Sequence, residues 1–239
     1  MTKITIDSFD HFLKVIEAIH AKGRDYILYR GQSVDEPLLP TIARDNRNFN
    51  STDNERKMLK ELRRRSKLLI GKADNDWDLM VLAQHHGMKT RLLDWSSNPL
   101  VALWFACSSK YHLKDDSYVF IFEGDENMVL DSVEGSPFTS RRTRILRPLL
   151  NSTRIIAQSG WFTSHVYADK TKSFVKLETH RTYKKRVSQI IIPANLKTSI
   201  INKLSTFGVN NRTLFPDIEG LCKHLNYKFT ERTNSKPLK

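Results

Sequence analysis

The segment from Leu100 to Ser108 constrains the fold of this chain more than any other stretch, because it contains no charged residue. Asn98 before it can cap a helix N-terminus, and Pro99 suits the first helical turn. The helix that follows is apolar on nearly every side, and helices of that kind are buried. We therefore predict that this helix lies at the centre of the fold.

The order of the other predicted elements indicates an α+β fold. Helical patterns dominate the first half of the chain, whereas the clearest later strands, 118–122 and 187–192, lie towards its end. No internal repeat or Gly/Ser linker divides the chain. We predict one mixed domain over residues 1–239, with a helix-rich N-terminal half, a mainly antiparallel sheet, a core over about 8–228 and a short basic tail over 229–239.

The balance of charges points to an anionic partner. The chain has 39 Lys and Arg against 26 Asp and Glu, a net charge of +13. Such an excess favours a nucleic acid, an anionic surface or an acidic protein. No apolar run approaches the roughly 20 residues that span a bilayer, so we expect no membrane partner. The first residues lack the apolar core of a signal peptide, which predicts a cytoplasmic location.

Two basic runs stand out within this excess. Arginine predominates in the first, which lies in a predicted loop and suits contact with a phosphate backbone. The nucleic-acid-binding residues predicted from it are Arg141, Arg142, Arg144, Arg147 and Arg154. The second run consists of Arg181, Lys184, Lys185 and Arg186, which a solvated surface also explains. No zinc finger or helix-turn-helix motif accompanies either run.

Residues 26–29 are predicted to form a short buried strand that ends at Tyr29 and runs into Arg30 and Gly31. A guanidinium at a strand end suits the capture of a phosphate or pyrophosphate. The glycine that follows would let a ligand approach the backbone. A structural arginine that binds loop carbonyls is the alternative interpretation.

Polar side chains are concentrated between Gln84 and Trp95, beside the apolar helix. Buried polar groups need partners, so this cluster indicates a specified hydrogen-bond network. One alternative is architectural, with Arg91 and Asp94 paired to hold the loop. A metal site is the other alternative. Adjacent histidines on a helix point in different directions and no Cys, Asp or Glu has matching spacing, so we predict no metal.

Two later segments carry further candidate groups. Gln158 precedes Trp161 and Phe162, whose rings would suit a stacking wall for nicotinamide, adenine or a nucleic-acid base. Packing in the core is the alternative for these rings. Asp217 and Glu219 lie in the first turn of a predicted helix, where the helix dipole accounts for carboxylates without any catalysis.

Taken together, these segments resemble the FRG domain, a bacterial family named for its aromatic-Arg-Gly motif. The order of the matches is the same as in the family, and they span roughly residues 26–226. The matching segments are Tyr29-Arg30-Gly31, Leu39-Pro40, Arg44, Glu55, Gln84–Trp95, Asn98-Pro99, Ala102–Ala106, Arg154–Phe162, Ile192-Pro193 and Leu214–Gly220.

A weaker resemblance links the chain to ADP-ribosyltransferases, which hold the NAD pyrophosphate with an arginine on an early strand. It implies an ADP-ribosyltransferase-like fold, NAD as substrate, and Arg30 as the pyrophosphate-binding residue. The late glutamate that contacts the nicotinamide ribose in that family would be Glu219, Asp217 or Glu178. The chain lacks a clean Ser-Thr-Ser or Glu-x-Glu motif.

These resemblances assign expected roles to the candidate residues. The catalytic candidates are Arg30, Asp94, Asp217 and Glu219. The expected NAD-binding residues are Tyr29, Arg30, Gly31, Gln84, His85, Thr90, Arg91, Gln158, Trp161 and Phe162.

Three functions follow as hypotheses. The first is an enzyme that transfers ADP-ribose from NAD to a nucleic acid or protein, as a bacterial toxin or phage-defence effector that an acidic antitoxin or regulator protein neutralises. The second is a nucleic-acid-binding or nucleic-acid-cleaving module in which His85, His86 and the arginines handle phosphates without NAD. The third is a non-catalytic domain that senses a ligand.

Overall fold

The computed structural model describes residues 1–69, 75–131 and 135–231. Most of the predicted basic tail, 232–239, lies outside the described residues. The strands are β1 (Thr2–Thr5), β2 (Tyr26–Gln32), β3 (Leu92–Ser96), β4 (Ser117–Gly124), β5 (Val129–Asp131), β6 (Arg144–Arg147), β7 (Gly160–Ser164), β8 (Tyr167–Ala168), β9 (Ser173–Phe174) and β10 (Val187–Ile192). The helices are α1 (Phe9–His20), α2 (Thr41–Arg44), α3 (Thr52–Arg65), α4 (Asp76–His85), α5 (Pro99–Cys107), α6 (Thr153–Ala157), α7 (Lys197–Thr206), α8 (Asn211–Leu214) and α9 (Ile218–Asn226).

One sheet of eight strands takes its members from the whole chain, in the order β1-β10-β4-β2-β3-β7-β6-β5. Its pairs are antiparallel except β1 with β10 and β5 with β6. Helices contain more residues than strands in the first half of the chain, as predicted, whereas the second half mixes strands β5–β10 with helices α6–α9. The predicted α+β class and the mainly antiparallel sheet are therefore confirmed.

The sheet opens between two of its central strands. β2 pairs with β4 along its whole length, from Tyr26 to Gln32. Within the described residues, β2 pairs with β3 at a single position, Tyr29 opposite Ser96. The described residues of the two strands form no further ladder pair beyond that position, so the strands can present polar groups to a ligand there.

The apolar helix α5 is covered from several sides, as its sequence predicts. It lies against β2, β3, β4 and α7, and Ala102, Leu103 and Ala106 are almost completely buried. Residues of α1 and α7 complete the same core cluster on one face of the sheet. A second cluster, which includes Leu28 and Phe122, fills the opposite face.

Helix α3 buries few of its apolar side chains. Met58 is partly exposed, and Leu69 lies largely in solvent beyond the end of the helix. The buried residues of this helix are Leu59 and Glu55, a carboxylate that is 0% exposed. A buried carboxylate is retained only when it is paired, and its partner lies in the segment before β3.

The helices of the described ranges include none with both the length and the apolar character needed to cross a membrane.

Candidate functional site

A cavity of about 670 Å³ lies where β2 and β3 separate. Helices α4, α5 and α6 form its walls, together with α2 and Phe215 after α8. This volume is in the range of small-molecule binding sites. The lining residues that carry polar or aromatic groups include Arg30, Arg44, Asp45, Gln84, His85, Lys89, Asp94, Phe105, Arg154, Gln158, Trp161 and Phe215.

Arg30 extends across the gap between the two strands. Its Nη1 donates to the main-chain carbonyl of Asp94 at 2.8 Å, and its Nε donates to Oε1 of Gln32 at 3.0 Å. The carboxylate of Asp94 lies 3.8 Å from the same Nη1. Nη2 has no hydrogen-bond partner among the described residues, so it is available to a ligand.

A second guanidinium faces the cavity from α2. The Nε of Arg44 donates to the carbonyl of Leu39 at 3.3 Å, and neither of its Nη groups has a partner in the described ranges. Burial lowers the pKa of Arg30 to about 10, and the positive charge of Arg44 opposes the charged form further. Arg30 remains cationic at neutral pH, and an anion between the two guanidiniums would relieve their repulsion.

The lining as a whole is cationic. Four of its described side chains carry a fixed positive charge, namely Arg30, Arg44, Lys89 and Arg154. Two carboxylates, Asp45 and Asp94, oppose them. Lys89 donates to Asp45 at 2.6 Å, which leaves the guanidiniums as the dominant charges. A cavity of this balance attracts an anionic ligand.

Asp94 is positioned by a short chain of hydrogen bonds. The hydroxyl of Thr90 donates to Oε1 of Gln84, and Nε2 of Gln84 donates to Oδ1 of Asp94 at 2.7 Å. Thr90 is fully buried and is not among the cavity-lining residues, whereas the side chain of Asp94 is 62% exposed. Thr90 therefore acts by orienting Gln84 rather than by contact with a ligand in the cavity.

Arg91 has a different place from the one expected for an NAD-binding residue. Its Nε donates to Oε2 of Glu55 at 2.7 Å, and both side chains are almost completely buried. Its guanidinium also lies 4.8 Å from the ring of Phe138. Arg91 pairs with Glu55 and not with Asp94, so it fixes α3 to the start of β3 and does not line the cavity.

Tyr29 and Gly31 both line the cavity, but the side chain of Tyr29 packs in the core and Gly31 packs against α5. The Tyr29 hydroxyl contacts Nε2 of His20 at 2.8 Å, and the side chain is fully buried. A Cβ at position 31 would overlap the main-chain carbonyl of Ala102 in α5. The glycine therefore permits the close approach of α5 to β2, which the sequence interpretation assigned to a ligand.

The far wall of the cavity brings together residues from α4 and α6. His85 and Arg154 both line it, and Ser152 lies 3.5 Å from Nδ1 of His85. Burial lowers the pKa of His85, and the charge of Arg154 lowers it further. The Nε2 of Gln158 donates to the carbonyl of Leu214 at 3.1 Å.

The two aromatic residues of β7 differ in their surroundings. Phe162 is almost completely buried in the core formed by α3 and α4, although it contributes to the cavity lining. The indole of Trp161 lies 5.6 Å from the ring of Tyr26 and 5.4 Å from the guanidinium of Arg147. Trp161 therefore forms a cluster with Tyr26 and Arg147 in addition to its place in the cavity lining.

Asp217 and Glu219 line a second cavity of about 140 Å³ rather than the larger one. Asp217 caps α9 by accepting a hydrogen bond from the Gly220 amide at 2.8 Å, and it accepts another from Arg154 at 2.9 Å. These bonds lower its pKa. Glu219 accepts from Lys223 at 2.6 Å. Capping and an ion pair within the helix account for both carboxylates, as the dipole argument allows.

Glu178, the third candidate for a late acid, does not line either cavity. Burial raises its pKa. Four of the five predicted nucleic-acid-binding arginines also lie away from the large cavity, namely Arg141, Arg142, Arg144 and Arg147. The fifth, Arg154, lines both cavities.

A buried hydrogen-bond chain supports the cavity from behind. Nδ1 of His165 lies 2.9 Å from the carbonyl of Val175, so this nitrogen carries the proton. Nε2 then accepts from the Thr163 hydroxyl at 3.0 Å, and Thr163 accepts from Nε1 of Trp95 at 2.9 Å. Burial lowers the pKa of His165 to about 4, which keeps the imidazole neutral. The chain orients Trp95, which lines the cavity.

Several of these residues were not among the sequence candidates. Arg44 was named in the sequence only as one of the positions that resemble the FRG family, and no role was assigned to it. Lys89 and Asp45 carried no pattern that distinguishes them from surface charges. The described residues contain no group of three or more His, Cys, Asp and Glu side chains arranged to hold a metal ion.

The family model described as FRG domain matches residues 25–115, which include β2, α2, α3, α4, β3 and α5. The segments from Arg154 onwards that resemble the family lie beyond the matched range. Neither the curated proteins nor the solved structures contain a match to the chain.

Proposed function

Because the chain carries an FRG domain over residues 25–115, we propose that this domain supplies one wall of an NAD-binding site. In this proposal the protein cleaves the bond between nicotinamide and ribose and transfers ADP-ribose to an acceptor. The observation that carries the proposal is the pair of guanidiniums, Arg30 and Arg44, that face one cavity with unpaired donors.

A pyrophosphate is the group that this pair suits best. Its oxygens accept hydrogen bonds from guanidinium groups, and arginine matches phosphate geometry with two donors at once. Arg30 offers Nη2, and Arg44 offers both of its Nη groups. The remaining lining supplies aromatic surface at Phe105 and Phe215, on which the rings of a dinucleotide would pack.

Asp94 is the carboxylate best placed for the chemical step. It lines the cavity, it is exposed there, and Gln84 holds one of its oxygens. When the glycosidic bond breaks, its electron pair passes to the pyridinium nitrogen and neutral nicotinamide leaves. Positive charge then develops on the ribose, where a nearby carboxylate stabilises it. An acceptor hydroxyl or water forms the new C–O bond and releases its proton to solvent or to the carboxylate.

Calorimetric titration with NAD tests the binding step. We expect Arg30→Gln and Arg44→Gln each to weaken the Kd at least tenfold, about 1.4 kcal/mol. Arg47→Gln is the matched control, because Arg47 is exposed and its side chain forms no hydrogen bond or ion pair with the described residues. Thermal unfolding of each variant separates lost binding from lost folding.

Incubation with labelled NAD and total RNA, DNA and protein tests the reaction. Transfer of label, or release of nicotinamide, supports the proposal. If NAD neither binds nor is consumed, the proposal is wrong. Metal-independent RNA cleavage that His85→Ala abolishes would then replace it with the nuclease hypothesis, since His85 is a largely neutral imidazole in the same cavity.

A further inference from the structure

The two basic runs of the sequence meet in the folded protein. The hydroxyl of Tyr183 donates to the main-chain carbonyl of Thr143 at 3.1 Å, which joins the segment 180–186 to the segment 141–147. Burial raises the pKa of Tyr183, and the charges of Arg142 and Arg144 oppose this rise, as their closeness requires. We call the surface formed by both runs the basic face; it comprises Arg141, Arg142, Arg144, Arg147, Arg181, Lys184 and Lys185.

Six of the seven charged side chains of this face form no ion pair with a carboxylate among the described residues. Arg142 and Arg144 donate to main-chain carbonyls, of Asn127 at 3.2 Å and Val129 at 3.0 Å. In the ranges that the structure describes, no ion pair with a carboxylate is formed by Arg141, Arg142, Arg147, Arg181, Lys184 or Lys185. All six are exposed. A cluster of exposed cations without carboxylate partners favours a polyanion as its ligand.

An aromatic stack borders the basic face. The Arg147 guanidinium lies 5.4 Å from the ring centre of Trp161 and 5.7 Å from that of Tyr26. Its Nη2 donates to the Tyr26 hydroxyl at 2.7 Å, and this hydroxyl donates to Glu126 at 2.5 Å. Planar guanidinium and aromatic groups of this kind stack with unpaired bases.

We propose that the basic face binds single-stranded nucleic acid, with backbone phosphates along the two basic runs and a base stacked on the Arg147–Trp161–Tyr26 cluster. In this proposal the phosphates pair with the exposed cations, and an unpaired base packs on the aromatic cluster beside them. The bases of a duplex are already stacked on one another, so a duplex cannot make this second contact. Trp161 also lines the large cavity, but none of the charged residues of the basic face does, so binding of phosphates there does not depend on NAD chemistry.

Fluorescence anisotropy of the full chain with a labelled oligo(U) or oligo(dT) 12-mer, without NAD, tests the inference. We expect the double variant Lys184→Glu, Lys185→Glu to weaken binding at least tenfold. It should also reduce the slope of log K against log salt by about 1.4, since each lost phosphate contact removes roughly 0.7. The matched control is Lys14→Glu, Lys57→Glu, which changes the net charge equally at exposed lysines of α1 and α3.

Substitution of Arg147 separates stacking from charge. Arg147→Ala should weaken single-strand binding about tenfold. Arg147→Lys should restore the salt slope but not the full affinity, because an ammonium keeps the charge without the planar surface. Equal losses in the control and in the Lys184, Lys185 variant would overturn the inference. So would equal affinity for a duplex of the same length, or displacement by polyglutamate at equal charge, which would assign the face to an acidic protein.

Discussion

At the scale of single residues, Asp94 differs in its surroundings from Asp217 and Glu219, although the sequence makes all three catalytic candidates. Asp94 is held at the gap between β2 and β3 by Gln84 and lies close to Arg30. Asp217 and Glu219 are each bonded within or beside α9 and line a smaller cavity. A carboxylate that caps a helix already has its partners, so it is a poor candidate for stabilising charge on a substrate in the larger cavity.

Substitution of these acids distinguishes their roles. We expect Asp94→Asn to lower the rate of nicotinamide release at least 100-fold while NAD affinity changes less than threefold, because the amide keeps the shape and loses the charge. Glu219→Gln should leave the rate within twofold. Chromatographic measurement of nicotinamide and calorimetry with NAD give both values. A large loss of rate in Glu219→Gln with little change in Asp94→Asn would assign the reaction to Glu219 and not to Asp94.

At the scale of elements, the packing of α5 on β2 decides where the cavity forms. Gly31 permits main-chain contact between the strand and Ala102 of the helix. Because α5 lies so close to β2, Phe105 and Arg30 face the same cavity. Within the aromatic-Arg-Gly sequence, Arg30 therefore faces the cavity, whereas Gly31 allows the close packing of α5 that places Arg30 there.

A methyl group at position 31 should disrupt this packing. We expect Gly31→Ala to reduce the free energy of unfolding by about 3 kcal/mol, since the added carbon meets backbone atoms that cannot move aside cheaply. Urea denaturation measures the change. Gly160→Ala on β7 is the control, because its added carbon would lie at ordinary contact distance, 3.5 Å from Ile155. Equal stability of the two variants would contradict the packing role of Gly31.

At the scale of the molecule, the segment that matches the FRG family is completed by strands outside it. β2 pairs along its length with β4, and β3 pairs with β7 from Leu92 to Ser96. Both partner strands follow residue 115. The core on one face of the sheet likewise includes Ile190 and Leu204 from the last third of the chain.

The isolated segment 25–115 should therefore not fold. Its two strands meet at one position and would expose most of their backbone groups without β4 and β7. We expect the segment to show no cooperative unfolding transition by circular dichroism, whereas the full chain shows one. A sharp transition in the segment alone would mean that the domain ends near residue 115, contrary to the predicted single domain over 1–239.

The sequence carried the local features of this protein and the list of groups in its cavity. Periodicity and capping residues were sufficient for the buried helix α5 and the α+β class, because these depend on neighbours a few residues apart. The residues that contact one another across long distances in the sequence could not be predicted from such local patterns. Arg91 pairs with Glu55, Arg44 joins Arg30, and the two basic runs meet through Tyr183 and Thr143. Contacts between distant residues depend on strand order and helix packing, which no local pattern encodes. Only the tertiary structure therefore shows which polar residues of the sequence face the cavity and which ones hold its walls together.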